Sequence, residues 1–387
     1  MNPPLNPIDA VTHPDPYPFY AALVAERPVY RDETLGLWVA ASADAVVSAL
    51  GNDACRVRPP HEPVPKALLG SPAAEIFRHL VRMNDGAGHC PFKQAISAVL
   101  ASVDADRVTR EAARGAGRLA DAVTGGESLT TFAFDLSTHV VGCLLGIPVD
   151  RLPDVAASMG DFVRCLSPLS GPEQIEQGKL AAGRLIELFR SLRATAPDGD
   201  ALLAALAREA RRVGRDDADV IIANGIGFLS QAYEATAGLI GNTLLLLASH
   251  DETRARAAGD SDLLAGVVAE VVRWDPPVQN TRRFLARDAA VAGQAMKEGE
   301  AILVVLAAAN RDPAANPAPE RFDPYRAERR SFTFGCGVHA CPGEALATGI
   351  AAAGVAALLA RGLAPGAASQ PRRYRPSANT RIPVFTG

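Results

Sequence analysis

The sequence predicts a mainly α-helical fold with a small β region. Three observations predict it. Residues 94–359 are dominated by long stretches rich in Ala, Leu, Val and Arg, with apolar residues at helical spacing. Strand-like runs are short and confined to the first third, to residues 288–305 and to the C-terminal region. No low-complexity linker divides the chain, and no repeat at a period of about 20–50 residues is present.

In chain order, a Pro- and Asn-rich arm leads into a helix over residues 18–26 and a strand-like run over 36–41 (GLWVAA). Residues 220–248 are apolar on nearly every face, as in a helix buried all round. Such a helix is about 43 Å long at 1.5 Å per residue, enough to cross the molecule. Its polar interruption, Gln231 and Glu234, falls in the middle. A carboxylate buried there is costly without partners. Either the helix centre faces a cavity, or Glu234 is paired to an Arg in the core. Residues 310–334 form a long irregular stretch, and such stretches are usually functional.

Composition excludes several classes. The chain has 387 residues, 48% hydrophobic and 21% charged, which is ordinary globular composition. Its formal net charge of −4 argues against nucleic acid and against anionic membrane surfaces as partners. Residues 220–248 are the most membrane-like stretch, but Glu234 divides them into halves shorter than the roughly 18–20 residues a span needs. The first ten residues lack the basic and apolar regions of a secretory signal. The expectation is a cytoplasmic protein. Cys55, Cys90, Cys143, Cys165, Cys336 and Cys341 show no disulfide-framework spacing, so most are expected to be free thiols.

The most informative segment is residues 331–347, SFTFGCGVHACPGEALA. Gly335, Gly337 and Gly343 surround Cys341, and glycine permits positive φ and close approach of a flat ligand. Pro342 suits the first position of a helix and Glu344 its first turn. The Cys341 sulfur is then at a helix N-terminus, which lowers a thiol pKa. Three readings compete. Cys341 is a small buried hydrophobe; or Cys336, His339 and Cys341 bind zinc, without a fourth ligand at finger-like spacing; or Cys341 is a thiolate ligand to haem iron.

The run FGCGVHACPG resembles the haem-binding signature of the cytochrome P450 family, F-x-x-G-x-[RH]-x-C-x-G, at Phe334, Gly337, His339, Cys341 and Gly343. The resemblance implies that Cys341 is the axial thiolate to haem b, that Phe334 packs against its sulfur, that Gly335 and Gly343 lie against the porphyrin, and that His339 bonds a propionate. A thiolate pushes electron density onto iron and favours O–O cleavage.

Other segments resemble the same family. Glu270 and Arg273 match its ExxR, on a helix whose Leu264, Val267, Val268 and Val271 recur at helical spacing. RFDPYR (residues 321–326) resembles the meander in which a basic residue locks onto that pair, so ExxR is expected to be structural. Thr281-Arg282-Arg283, followed by Asp288 and Gly293, resembles the next stretch, with Arg283 as the propionate-binding arginine. DGAGHCPFK (residues 85–93) resembles D-P-x-x-H-x-x-x-R. His89 matches, Lys93 replaces Arg as a point charge, and Gly86 and Ala87 stand where proline is expected.

In the central helix, Gln231 to Thr236 (QAYEAT) aligns with [AG]-G-x-[DE]-T. Glu234 takes the acid position, but Ala235 stands where Thr supplies a hydroxyl. Splitting dioxygen needs protons delivered by general acid catalysis. Three substitutes are open: a substrate hydroxyl or the Gln231 amide orders the relay water; Thr236 serves, about 100° away around the helix; or peroxide is the preferred oxidant. The candidate catalytic residues are therefore Glu234, Gln231 and Thr236.

The resemblance covers nearly the whole chain and implies one domain over residues 1–387, enclosing haem. It implies a monomeric monooxygenase that inserts one oxygen atom of O2 into a small or medium-sized organic molecule. Electrons would come from a ferredoxin and its reductase, docking at basic residues such as Arg329 and Arg330. Pocket walls are expected at residues 56–81, 165–180, 227–234, 278–281 and Asn379, with Gly227 removing bulk and Gln231, Gln279 and Asn280 as polar handles. A peroxygenase, a non-insertion oxidase and a non-catalytic haem sensor are the alternatives.

Overall fold

A computed structural model of the chain describes residues 2–86, 89–196, 199–363 and 373–385. The expected mainly helical architecture is present. The helix Ala218–Ala248 runs through its middle, capped by the Asp217 carboxylate, which accepts from the amides of Asp219 and Val220. Helices Pro72–His79, Gly126–Leu145, Ser261–Trp274 and Glu344–Ala360 pack around it. Among the described residues, Gly126–Leu145 is the one helix long and apolar enough to cross a membrane, and 72% of its apolar window is buried in the molecule. It displaces residues 220–248 as the most membrane-like stretch, because Gln231, Glu234 and the asparagines lower the mean hydropathy of the central helix.

The small β region is a five-stranded sheet in the order Val29–Asp32, Leu37–Ala40, Ala301–Val304, Thr281–Leu285, Cys55–Arg56. Trp38 lies opposite Ile302 in the single parallel pairing of that sheet, and Thr281 lies opposite Val304 in an antiparallel one. The strand signal over 288–305 resolves into a separate hairpin, Ala289–Val291 with Gln294–Met296, and the sheet strand Ala301–Val304. Left-handed Ala292 and Gly293, at φ 48° and 78°, turn the hairpin. In Thr281–Leu285 the period of two buries Arg283 and Leu285, leaving Arg282 on the other face.

The irregular stretch after Asn310 is held by one buried carboxylate. Glu270 is fully buried and 2.6 Å from Arg273 Nη2. It also accepts from Arg326 Nε at 3.2 Å, Arg329 Nε at 2.8 Å and the Asp323 amide at 3.2 Å. Arg273 in turn donates to the carbonyls of Pro319 and Arg321. Every lone pair on the carboxylate is used, which is what makes a buried charge tolerable. Arg329 is thus part of this cluster and not a free docking cation, contrary to expectation. Arg330 is exposed, with its guanidinium over the Phe332 ring.

The two ends of the chain meet at Arg381. Its buried guanidinium donates to Asp275 at 2.8 Å and to the carbonyls of Val11, His13 and Pro14 at 3.1, 2.6 and 3.1 Å. The same segment lies on the central helix. A Cβ on Gly238 would come within 2.9 Å of the Arg381 carbonyl oxygen, and one on Gly241 within 2.5 Å of Pro383. Only glycine permits that approach.

Candidate active site

Between the central helix, the cysteine loop, the strand Thr281–Leu285 and the C-terminal segment lies a cavity of about 1060 Å³. That is at the top of the range of about 300–1,000 Å³ for one drug-sized ligand. Gln231, Glu234 and Thr236 border it, as do His89, Lys93, Arg283, Phe334, Gly335, His339, Cys341 and Gly343. Residues from His89 to Gly343 thus converge on one space, with the polar interruption of the central helix facing it. Among the described residues no Lys or Arg is within ion-pair distance of Glu234, so the core ion-pair alternative does not hold.

The cysteine loop is shaped by its own backbone. Gly335 and Gly337 are left-handed, at φ 70° and 69°. The Gly335 amide donates to Phe332 O and the Cys341 amide to Phe334 O, both at 2.8 Å. Gly343 has an ordinary φ of −97°, so its lack of a side chain serves approach, not turning. The helix begins at Glu344, later than Pro342 suggested, with Gly343 as its N-cap. Consequently, among the described residues, only the Gly343 amide reaches the Cys341 sulfur, at 3.4 Å. Burial pushes the Cys341 thiol above its ordinary pKa, and the Gly343 amide and the Lys93 charge oppose it without prevailing. The expected lowering fails because desolvation of a thiolate outweighs one amide.

Cys341 opens onto the cavity and is no core hydrophobe. Among the described residues, no three His, Cys, Asp or Glu side chains are placed to share a metal ion. Cys336, His339 and Cys341 therefore do not assemble a zinc site, and a single-sulfur ligand remains.

Basic groups outnumber acids along this wall. His89 is buried, its ring centroid 4.3 Å from that of His339. Burial, then the neighbouring His339 and Lys93, push its pKa down to about 4. His339 Nε2 lies 3.0 Å from Asp85 Oδ1, and Asp85 also accepts from the Val57 amide. Lys93 Nζ donates to the Ala340 carbonyl at 2.6 Å. Arg283 is 6% exposed and donates to the Arg282 carbonyl at 2.8 Å. Among the described residues no carboxylate is within ion-pair distance of its guanidinium. A buried cation without an anion is costly, and burial lowers its pKa. These residues fit a flat ligand that brings its own carboxylates and a metal able to take one sulfur. In the 85–93 segment, Ala87 and Gly88 lie outside the described residues.

Around Ala235 the structure sorts the substitutes. Gln231 Nε2 donates to the Gly227 carbonyl of its own helix at 2.9 Å. Thr236 is fully buried, and its hydroxyl has no partner among the described residues. Among the described residues, neither has a hydrogen bond to Glu234. The hydroxyl that does is Thr380, whose Oγ1 donates to Glu234 Oε2 at 3.4 Å. Burial, opposed by Arg375, Thr380 and Arg164, keeps the Glu234 carboxyl above the ordinary glutamate pKa. Sequence reading missed Thr380, Ser377, Arg375 and Asp85 in this site, though Asp85 stood in a quoted motif. Two expected wall residues lie elsewhere. Gln279 is fully buried, accepting from Tyr20 and donating to Pro276. Gly227 admits Leu80, 2.9 Å from where its Cβ would be, and widens no pocket.

The family model described as Cytochrome P450 matches residues 200–361. The cytochrome P450 monooxygenase PikC of Streptomyces venezuelae is 30% identical over 363 residues, 90% of this chain and 84% of that protein. The biotin biosynthesis cytochrome P450 of Bacillus subtilis is 24% identical over 372 residues, 94% and 93% of the two chains. The crystal structure of CalO2 superposes with a TM-score of 0.86 at 26% identity, covering 98% of this chain and 97% of that one.

Proposed function

The chain belongs to the cytochrome P450 family and is an oxidoreductase, and from that premise we propose that it binds haem b through the Cys341 sulfur and inserts one oxygen atom of O2 into a small or medium-sized, partly oxygenated organic molecule. The observation that carries this reading is a single cavity bordered by the Cys341 sulfur, a group of basic side chains and the Glu234 carboxyl. We read the whole chain, residues 1–387, as one cytoplasmic, monomeric domain that takes electrons from a ferredoxin and its reductase.

Bound there, haem supplies activation of dioxygen at thiolate-ligated iron. The chain's residues bind and orient. Arg283, His89, His339 and Lys93 would hold the propionates, Arg283 by a guanidinium fork and Lys93 as a point charge. Asp85 orients the His339 ring. Phe334 would cover the sulfur, and Gly335 and Gly343 would keep the loop clear of the macrocycle. Glu234, whose pKa burial raises above that of a free glutamate, donates protons into the cavity. Asn280, with its amide nitrogen spent on the Ala378 carbonyl, offers its oxygen to a substrate.

A screen of small organic molecules for substrate-induced spin-state shifts, followed by product analysis with a ferredoxin system, tests the reading. A protein that takes up haem but oxidises nothing that shifts its spectrum would contradict it. One variant sharpens it. Arg283→Leu removes the buried cation, and its haem is expected to dissociate on the order of tenfold more readily, as befits loss of one charged hydrogen-bonded contact worth ~1.5–3 kcal/mol; transfer of haem to apomyoglobin measures it. Unchanged retention would assign the propionates elsewhere.

A second reading, turnover driven by peroxide on the same fold, is favoured by Ala235 alone. With substrate bound, Ala235→Thr is expected to lower the fraction of reducing equivalents released as peroxide. Unchanged coupling would remove Ala235 from the account.

A further inference from the structure

Glu234 can give up a proton only if another replaces it, and the helix that carries it supplies no hydroxyl at Ala235. We propose that Ser377 and Thr380 form a two-hydroxyl path that returns protons from solvent to the Glu234 carboxyl, a role that rests on the monooxygenase reading above.

The polarity of the path is set by its hydrogen bonds. Thr380 Oγ1 donates to Glu234 Oε2, so its lone pairs are free to accept. Ser377 Oγ lies 2.7 Å from Thr380 Oγ1. That serine oxygen already accepts from the backbone amides of Thr380 at 3.0 Å and Asn379 at 3.3 Å. With its acceptor sites occupied, the Ser377 proton points outward, and Thr380 Oγ1 is closer than the Asn379 side chain at 3.4 Å. The chain of donors therefore runs Ser377 to Thr380 to Glu234. Thr380 is buried, Ser377 half-buried, and Pro376 and Asn379 are exposed; all four border the cavity, as Glu234 does. The path thus begins at residues that water reaches on the border of the cavity and ends on the buried carboxyl.

The segment is fixed against the core residue by residue. The Gln279 amide donates to Asn379 O at 2.8 Å, and Asn280 Nδ2 to Ala378 O at 2.9 Å. Val278 and Thr380 form an antiparallel bridge. Arg381, the next residue, is anchored at Asp275, and glycine at 238 seats its carbonyl on the central helix. Arg375 and Arg164 also face Glu234, and burial keeps the carboxyl protonated to higher pH than a free glutamate.

In one pass, the Glu234 O–H bond breaks and its proton goes to water in the cavity. The Thr380 proton then moves to the carboxylate, the Ser377 proton to Thr380, and a proton from solvent water to Ser377. One proton enters for each that leaves, and no electrons move.

The test uses the holoenzyme and Thr380→Val, which keeps the shape and removes the hydroxyl. The Glu234 carboxyl is titrated by infrared difference spectroscopy, with Glu234→Gln assigning the band. Thr380→Val is expected to move the Glu234 midpoint to higher pH, since a bond to the carboxylate is lost. It should also lower coupled turnover on the order of tenfold, with peroxide released instead. Thr380→Ser should restore both, and Ser377→Ala should lower coupling while leaving the haem spectrum intact. A midpoint unmoved in Thr380→Val, or coupling retained in both hydroxyl-free variants, would overturn the proposal. The infrared midpoint needs no turnover, so it tells failure of the path from failure of the monooxygenase reading, which wild-type protein would show by itself.

Discussion

Glu270→Ala is expected to cost the fold about 3–5 kcal/mol, the penalty for removing one partner of a buried ion cluster. Folded domains are stable by only about 5–15 kcal/mol, so most of the molecule's margin goes with it. Three guanidinium groups, on Arg273, Arg326 and Arg329, meet at that carboxylate. Without it they are left together with no acid between them, and the irregular stretch loses the point that ties it to the helix Ser261–Trp274. Burial alone would raise the Glu270 pKa, but hydrogen bonds from Arg273 and Arg329, their charge and the Asp323 amide hold it below its ordinary value of 4.5. A group depressed in the folded state stabilises above its unfolded pKa, and that contribution fades as pH falls through the folded value. Urea unfolding of both proteins should show a wide gap at neutral pH that narrows in acid below the ordinary carboxyl range. Equal urea midpoints at neutral pH would mean the cluster is ornamental.

Cys341→Ser is expected to do the reverse. Among the described residues, its one side-chain hydrogen bond is from the Gly343 amide, which a serine oxygen also accepts. Its neighbours on the loop are held by backbone bonds that the substitution leaves intact. Stability should change by no more than about 0.5 kcal/mol, the range of substitutions that disturb no packing or network. The ferrous–CO spectrum characteristic of thiolate ligation should vanish, and turnover with it. Persistence of both would move the iron ligand to another residue. Together the two variants separate the role of the meander cluster from that of the loop: one keeps its sulfur and loses its shape, the other the opposite.

What could be read from the sequence was whatever sits close together along the chain. The cysteine loop and the Glu270–Arg273 pair each lie within one short segment, so spacing alone exposes them. Arg283 was chosen over Arg282 by its position before Asp288 in the stretch that resembles the family, and alternation in the strand does bury Arg283 and turn Arg282 to the other face. Contacts between distant segments were not legible. Thr380 and Glu234 are 146 residues apart, and nothing in the local pattern at Thr380 signals a partner. Arg329 looked like one surface cation among many, since its distinguishing feature is an acid 59 positions earlier. Gly227 was misplaced for the same reason: the neighbour it admits, Leu80, follows the distant helix Pro72–His79. The Cys341 pKa was misjudged because capping is local whereas desolvation depends on everything that closes over the sulfur.

The clasp at Arg381 makes the opening of the chain a distant member of the catalytic apparatus. Shortening the polypeptide past Val11, His13 and Pro14 strips three carbonyl acceptors from a buried guanidinium. The neighbouring peptide unit is the one that aims the Thr380 hydroxyl. Trimming or tagging choices at the amino end are therefore choices about how firmly the segment that carries Thr380 is held beside Glu234.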